Sequence, residues 1–143
     1  MNLDLHVHTT YSFDCFVSPK AMVRECARRG GLHGLAITDH NSTAGAGKAV
    51  ESLRPGDPLV IPGAELVTDA GELLLLFVDE LPKGRSIDEV VDEVRDQSGL
   101  IVLPHPYRGH PEVELITQKA DLVEVLNGLS LIHISEPTRQ AEI

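Results

Sequence analysis

The first residues able to do chemistry are Asp4, His6 and His8, in the run Asp4-Leu5-His6-Val7-His8. Residues 1–7 read as a short apolar strand in which Leu3, Leu5 and Val7 alternate with Asp4, His6 and His8. Side chains two apart on a strand share a face. The spacing therefore predicts that all three polar residues point one way, as a chelating pair needs. Imidazole suits zinc, iron or manganese, and a nearby carboxylate can fix the tautomer of a ligating histidine. A solvated edge-strand face is the plainer account of one His-x-His, but the rest of the chain repeats the pattern. Asp14 lies in the loop that follows, and Asp39-His40 closes the apolar run 35–37. Glu65 ends the run 59–64, His105 ends 100–104, and Glu124 lies in the run 122–126 with Asn127 just beyond. Strand ends are where α/β barrels and open α/β sheets build active sites.

The elements that must position these residues alternate strand and helix, with one hairpin. Ser18 caps a helix with Pro19 at its first position, Met22, Val23, Cys26 and Ala27 on its apolar stripe, and Gly30-Gly31 as its stop. A strand over 35–38 follows. A weaker helix starts near Ser42 or Thr43 and carries Ala46, Ala49, Val50 and Leu53 before the breaker 55–58. The segments 59–67 and 73–78 read as strands across the turn Asp69-Ala70-Gly71. Ser86 and Glu89 match a capping box for a helix burying Ile87, Val90, Val91 and Val94. The apolar run 100–103 reads as a strand of a parallel sheet covered on both faces. Pro111 opens a short helix toward Lys119, and 122–126 is a last strand.

Composition sets bounds. At 143 residues the chain suits one domain with an ordinary core. The longest uninterrupted apolar run, 73–78, is far short of a membrane span, and the N-terminus lacks the pattern of a signal peptide. Two cysteines, Cys15 and Cys26, make no disulfide framework, so a cytoplasmic protein is expected. The net charge of −10 argues against an extended nucleic-acid surface, though not against a nucleic acid end held by metals. No membrane contact is expected.

The chain resembles the PHP (polymerase and histidinol phosphatase) domain family of metal-dependent phosphoesterases. The residues that carry the resemblance are 4–12 (Asp4-Leu5-His6-Val7-His8-Thr9-Thr10-Tyr11-Ser12), Ile37-Thr38-Asp39-His40, Gly63-Ala64-Glu65 and Leu103-Pro104-His105-Pro106. The resemblance implies an α/β fold, a distorted (βα)7 barrel that is incomplete at the C-terminus here. It implies two or three divalent ions (Zn, Mn or Fe) and hydrolysis of a phosphomonoester, nucleotide or oligonucleotide phosphate by metal-activated water. By the same resemblance His6 and His8 share one metal, and Glu65 bridges it to a second that His105 also binds. Asp14 and His40 hold a third, and Asp4 and Asp39 orient histidines from outside the ligand shell. Arg108 is a candidate for a substrate phosphate, with a surface ion pair as the equal alternative. Glu124 and Asn127 are candidate late site residues. His110 reads first as a loop residue and His33 as structural; Tyr11 and Ser12 suit either substrate contact or packing.

The end of the chain departs from the family, which usually closes with a late Asp-x-His pair. Residues 131–143 match no family motif and resemble a translated sequencing adapter. Residues 1–128 are therefore expected to be the N-terminal part of a PHP domain, and 129–143 a foreign tail in which His133 is no ligand. That leaves the activity of this fragment open. Two other readings stand beside phosphoester hydrolysis. One is a non-catalytic PHP scaffold module; the other is a metal-dependent hydrolase of amidohydrolase type. Against the second stand Asp14, the Thr38-Asp39-His40 segment, and the lack of a bridging lysine, since Lys83 lies in a Pro-Lys-Gly loop.

Overall fold

The structure is a computed structural model that describes residues 1–125. Asn127 and the expected tail 129–143 lie outside the described residues. The chain opens with β1 (Leu3–Val7) and α1 (Pro19–Arg29). Ser18 Oγ accepts the Ala21 N–H at 3.3 Å, and Gly30 leaves the helix at φ 62°, a conformation open to glycine. Next come β2 (Gly34–Ile37) and α2 (Ala44–Glu51), then the hairpin of β3 (Leu59–Val67) and β4 (Glu72–Leu76). The Gly71 carbonyl accepts from both Thr68 N (2.9 Å) and Thr68 Oγ1 (2.7 Å), which fixes the reversal. The capping box of Ser86 and Glu89 starts α3 (Ile87–Asp96). After it come β5 (Leu100–Leu103), α4 (Val113–Lys119) and β6 (Leu122–Val123).

The six strands among the described residues join one sheet in sequence order. β1–β2, β2–β3 and β5–β6 are parallel, while β3–β4 and β4–β5 are antiparallel. The expectation of a purely parallel setting for 100–103 is thus corrected. The hairpin reverses the chain once, so β4 runs against both its neighbours. The expected burial of both faces holds, because Ile101 and Leu103 pack on one side and Val102 on the other.

The described helices cover one face only. Val23, Cys26, Leu35, Ile37, Ala46, Ala49 and Val60 join α1 and α2 to β2 and β3. Leu66, Leu73, Leu75, Ile87, Val90, Val94, Ile101 and Ile116 join α3 and α4 to the later strands. Full burial of each such aliphatic side chain contributes roughly 1.5–3 kcal/mol. The opposite face packs strand residues alone, Ala36, Ile61, Leu74, Leu76 and Val102 with Leu3, Leu5 and Leu100. That is the inside of a curl. Five strand gaps laid flat would separate β1 from β6 by about 24 Å. Yet His6 Nδ1, on β1, lies 3.1 Å from Glu124 Oε1, just past β6. The fold is mixed α/β with a sheet curled into a half-barrel, and no described helix is long and apolar enough to cross a membrane.

Candidate metal centre

Glu65 sits at the centre of the curl, almost wholly buried near the end of β3. Its Oε2 lies 3.3 Å from His6 Nε2, 3.1 Å from His8 Nε2 and 3.2 Å from His40 Nδ1. Its Oε1 lies 3.0 Å from His105 Nε2. The four histidines come from three places: His6 and His8 from the end of β1, His40 from beyond β2, His105 from beyond β5. Asp14 extends the cluster outward, with Oδ2 at 2.9 Å from His8 Nδ1 and 3.5 Å from His40 Nε2. The structure thus brings together His6, His8, Asp14, His40, Glu65 and His105, the residues the sequence singled out as metal-capable.

Local backbone explains how β1 presents both histidines. Leu3 pairs with Gly34, Asp4 with Leu35, and Val7 with Ile37. Three residues on β1 therefore span two on β2, the signature of a bulge. The extra residue puts Asp4 and Val7 on the helix side together. The expected common face of Asp4, His6 and His8 is corrected accordingly. Asp4 lines a cavity of about 300 Å³ against α1 with Met22, Cys26 and Leu35. Its hydrogen bond to His6 is from the His6 backbone N–H to Oδ1 (3.3 Å), not from the ring.

Asp39 is fully buried and acts on the loop after β1. Its carboxylate accepts Thr9 N (2.6 Å), Thr9 Oγ1 (2.7 Å) and Ser12 Oγ (2.8 Å). Ser12 Oγ in turn accepts the His40 N–H at 2.9 Å. Ser12 is therefore buried structure beneath the loop. Asp39 supports Asp14 and His40 through backbone, and among the described residues its carboxylate bonds Thr9 and Ser12 rather than a histidine ring.

His105 stands between Pro104 and Pro106 at φ 29°, a region that costs a non-glycine residue energy and recurs at functional sites. Glu124 Oε2 accepts its N–H at 2.7 Å, and the Arg108 carbonyl lies 3.2 Å from its Nδ1. A carbonyl only accepts, so Nδ1 carries a proton, and Nε2 faces Glu65. The Glu124 carboxylate likewise accepts from His6 Nδ1 at 3.1 Å. Apart from that carbonyl, Arg108 is exposed. His110 donates Nε2–H to the Pro104 carbonyl (2.8 Å) and stacks on His105, while exposed His33 accepts the Asn2 N–H at Nδ1 (2.9 Å).

Electrostatics follow from this crowding. Burial alone would depress His6, but Glu124 and Glu65 outweigh it and raise its pKa to about 9. His8 and His105 are also raised, burial being overcome by Glu65 with Asp14 for the first and by Glu65 for the second. Burial pushes Glu65 upward, yet the surrounding histidines hold it far below the usual carboxylate range. Asp14 is lowered, its desolvation overcome by His8 and His40.

The donor set fits divalent metal. The Nε2 atoms of His6 and His105 both face Glu65 oxygens, so without metal they must hold protons to donate, and a divalent cation would take the place of those protons. His8 Nε2 is buried and, though close to Glu65, has no hydrogen-bond partner. Ligand atoms about 2.1 Å from a shared ion stand roughly 3.0–3.4 Å apart, the range found around Glu65. Three groups of donor atoms converge: His6, His8 and Glu65; His8, Asp14 and His40; His40, Glu65 and Glu72. Glu72 was missed in the sequence. Its Oε2 lies 3.6 Å from His105 Nε2, and as the residue after a turn glycine it carried no strand-end signal.

This fold and this cluster define a mixed α/β half-barrel with a candidate metal centre at its strand ends. The chain matches the PHP domain family over residues 4–140 and belongs to it. It is 34% identical over 117 residues to an uncharacterized protein of Methanocaldococcus jannaschii, covering 75% of this chain and 68% of that protein. A second uncharacterized protein of that organism is 33% identical over 138 residues, 95% of this chain and 52% of the relative. A 64-residue stretch, 44% of this chain, is 42% identical to 6% of the error-prone DNA polymerase of Mycobacterium tuberculosis. Among solved structures, a provisionally assigned metal-dependent phosphoesterase from Bifidobacterium adolescentis superposes with TM-score 0.70 at 18% identity, covering 87% of this chain and 77% of that one. A two-domain Bacteroides vulgatus protein containing a predicted PHP-like metal-dependent phosphoesterase gives 0.69 at 23% identity, with 87% and 44% covered. An amidohydrolase from Chromobacterium violaceum gives 0.70 at 16% identity, with 93% and 81% covered.

Proposed function

We propose that the chain is the N-terminal part of a PHP phosphoesterase that cleaves a phosphomonoester, or a nucleotide or oligonucleotide phosphate, with water. The observation that carries this is the convergence of four histidines from three chain segments on the buried carboxylate of Glu65. His6 and His8 hold one ion with Glu65, Glu65 and His105 a second, and Asp14 and His40 a third. Two or three zinc, manganese or iron ions would polarise a phosphoryl oxygen and lower the pKa of bound water toward neutrality. The chain's own residues do the positioning. Glu124 orients the His6 ring and holds the His105 backbone, while Asp39 ties down the loop that carries Asp14. Arg108, exposed beside His105, offers a fork of donors to a phosphate oxygen.

Residues 1–128 belong on this reading to a (βα)7 barrel in a cytoplasmic protein, with 129–143 foreign and Asn127 near the site. Recovering the coding sequence downstream of Gly128 tests that boundary; an Asp-x-His pair there supports it. The polymerase similarity favours a scaffold role as a second reading, and the shared fold with an amidohydrolase favours amide hydrolysis as a third. Exposed Lys83, in the loop between β4 and α3, is no bridging ligand, which weighs against the third. The experiment is a panel of phosphomonoesters and cyclic amides, offered to the complete parent protein loaded with zinc, manganese or iron. Turnover of phosphates that falls with metal content in Glu65→Gln supports the proposal. Turnover of amides alone, or full metal content with no turnover, overturns it.

A further inference from the structure

The chain has only five aromatic residues of the Phe and Tyr types. Four of them, Tyr11, Phe13, Phe16 and Tyr107, lie in the loops after β1 and β5 that carry the metal-capable residues. None is in the core; Phe13 is 84% exposed, Phe16 92% and Tyr107 97%. Aromatic rings normally supply core area, and apolar rings left in water beside a site mark a surface that meets a ligand.

Phe13 is the best placed of the four. It lies nearly parallel to the His40 ring, at 15° with centroids 4.9 Å apart. Its own loop is pinned at the base by the Thr10 N–H to Val17 carbonyl bond (2.9 Å) and by buried Asp39 beneath Thr9 and Ser12. One face of Phe13 is therefore occupied by a site histidine, and the ring as a whole is open to solvent on a braced support. A braced exposed ring is pre-organised to stack.

We infer that Phe13 is a stacking platform for a planar ring carried by the substrate, separated from the scissile phosphate by a pentose-sized spacer. The inference rests on the phosphoesterase reading and adds a specificity-determining residue to it. The spacer follows from distance. A ligand ring continuing the stack at van der Waals spacing lies about 8–9 Å from the His40 centroid. A ring bonded directly to a phosphate oxygen is too short to rest there with its phosphorus at Glu65. A nucleoside monophosphate has the required reach, and base–aromatic stacking is tolerant of base identity.

The test compares kcat/KM for adenosine monophosphate with that for glycerol phosphate in the full-length, metal-loaded protein. Phe13→Leu should lower the ratio about tenfold, while Phe13→Trp keeps it and the neighbouring Phe16→Leu changes it less than about twofold. Saturation-transfer NMR with adenosine on metal-depleted protein reads the contact without turnover. Adenine protons should receive saturation from the wild type and Phe13→Trp, and lose it in Phe13→Leu. Phosphate turnover with an unchanged ratio and no Phe13-dependent transfer overturns the platform while leaving the phosphoesterase reading intact. Phe13-dependent transfer without phosphate turnover does the reverse.

Discussion

Glu65→Gln keeps the size of the side chain and removes the charge on which four imidazoles converge. In metal-depleted protein its cost can be worked from His6. Raising that pKa from 6.5 to about 9 corresponds to about 3 kcal/mol of preference for the imidazolium. Glu124 and Glu65 share it, so roughly half is lost from His6 when Glu65 is neutralised. His8 and His105 are also raised by Glu65, so the total loss should exceed the His6 share. The sign sets the pH window. A raised histidine pKa gives stability that is whole below 6.5 and fades as pH rises through about 9. The lowered Glu65 pKa gives stability present above about 4.5 and lost only as pH falls far below it. Wild type and Glu65→Gln should therefore differ most near pH 6, and by about 1 kcal/mol or less at pH 10, where the pairs become neutral hydrogen bonds. Urea unfolding followed by circular dichroism in chelator, at both pH values, measures this. A difference that is equal at pH 6 and pH 10, or negligible at pH 6, would refute the charge argument.

The same protons must leave when metal enters, so affinity for zinc should rise from pH 6 to pH 9. Calorimetry in buffers of different ionisation enthalpy should show proton release, and pH-independent uptake would contradict it. Asp39→Ala should cost about 3 kcal/mol in urea unfolding, because it strands three donors beneath the loop; elemental analysis should show reduced metal content, through loss of the Asp14 and His40 position. Gly45→Ala should cost about 1–3 kcal/mol, since its Cβ would fall 1.9 Å from Asp39 Oδ2. Gly47→Ala in the same helix meets nothing within 4 Å and should stabilise by about 0.5–1 kcal/mol, so thermal melts of the pair separate crowding from helix propensity.

What the sequence displayed best were features set by near neighbours. The Ser18–Pro19 helix start, the Ser86–Glu89 capping box and the hairpin around Gly71 need only a few adjacent residues, and each formed as expected. The metal-capable residues were legible for a related reason. His8, His40 and His105 sit where an apolar run gives way to loop, so their position at the end of a strand is visible without knowing the strand's neighbours. Glu72 escaped because it begins a strand, and only the antiparallel hairpin carries that beginning back to the same end of the sheet as the other ends.

Facing and distance were not legible, because both depend on partners far along the chain. Alternation put Asp4 with His6 and His8. The bulge that separates them is a mismatch between β1 and β2, and no residue on β1 alone announces it. Glu124 shows the same limit over a longer range. In sequence it is one acid in a weak apolar run; in space it fixes two histidines, one of them 118 residues earlier, because the sheet curls. The curl comes from strand twist together with helices packed on a single face. It therefore belongs to the sheet as a whole. A chemist reading spacings can find the ligands, but which carboxylate orients which imidazole is decided by the closure of the sheet.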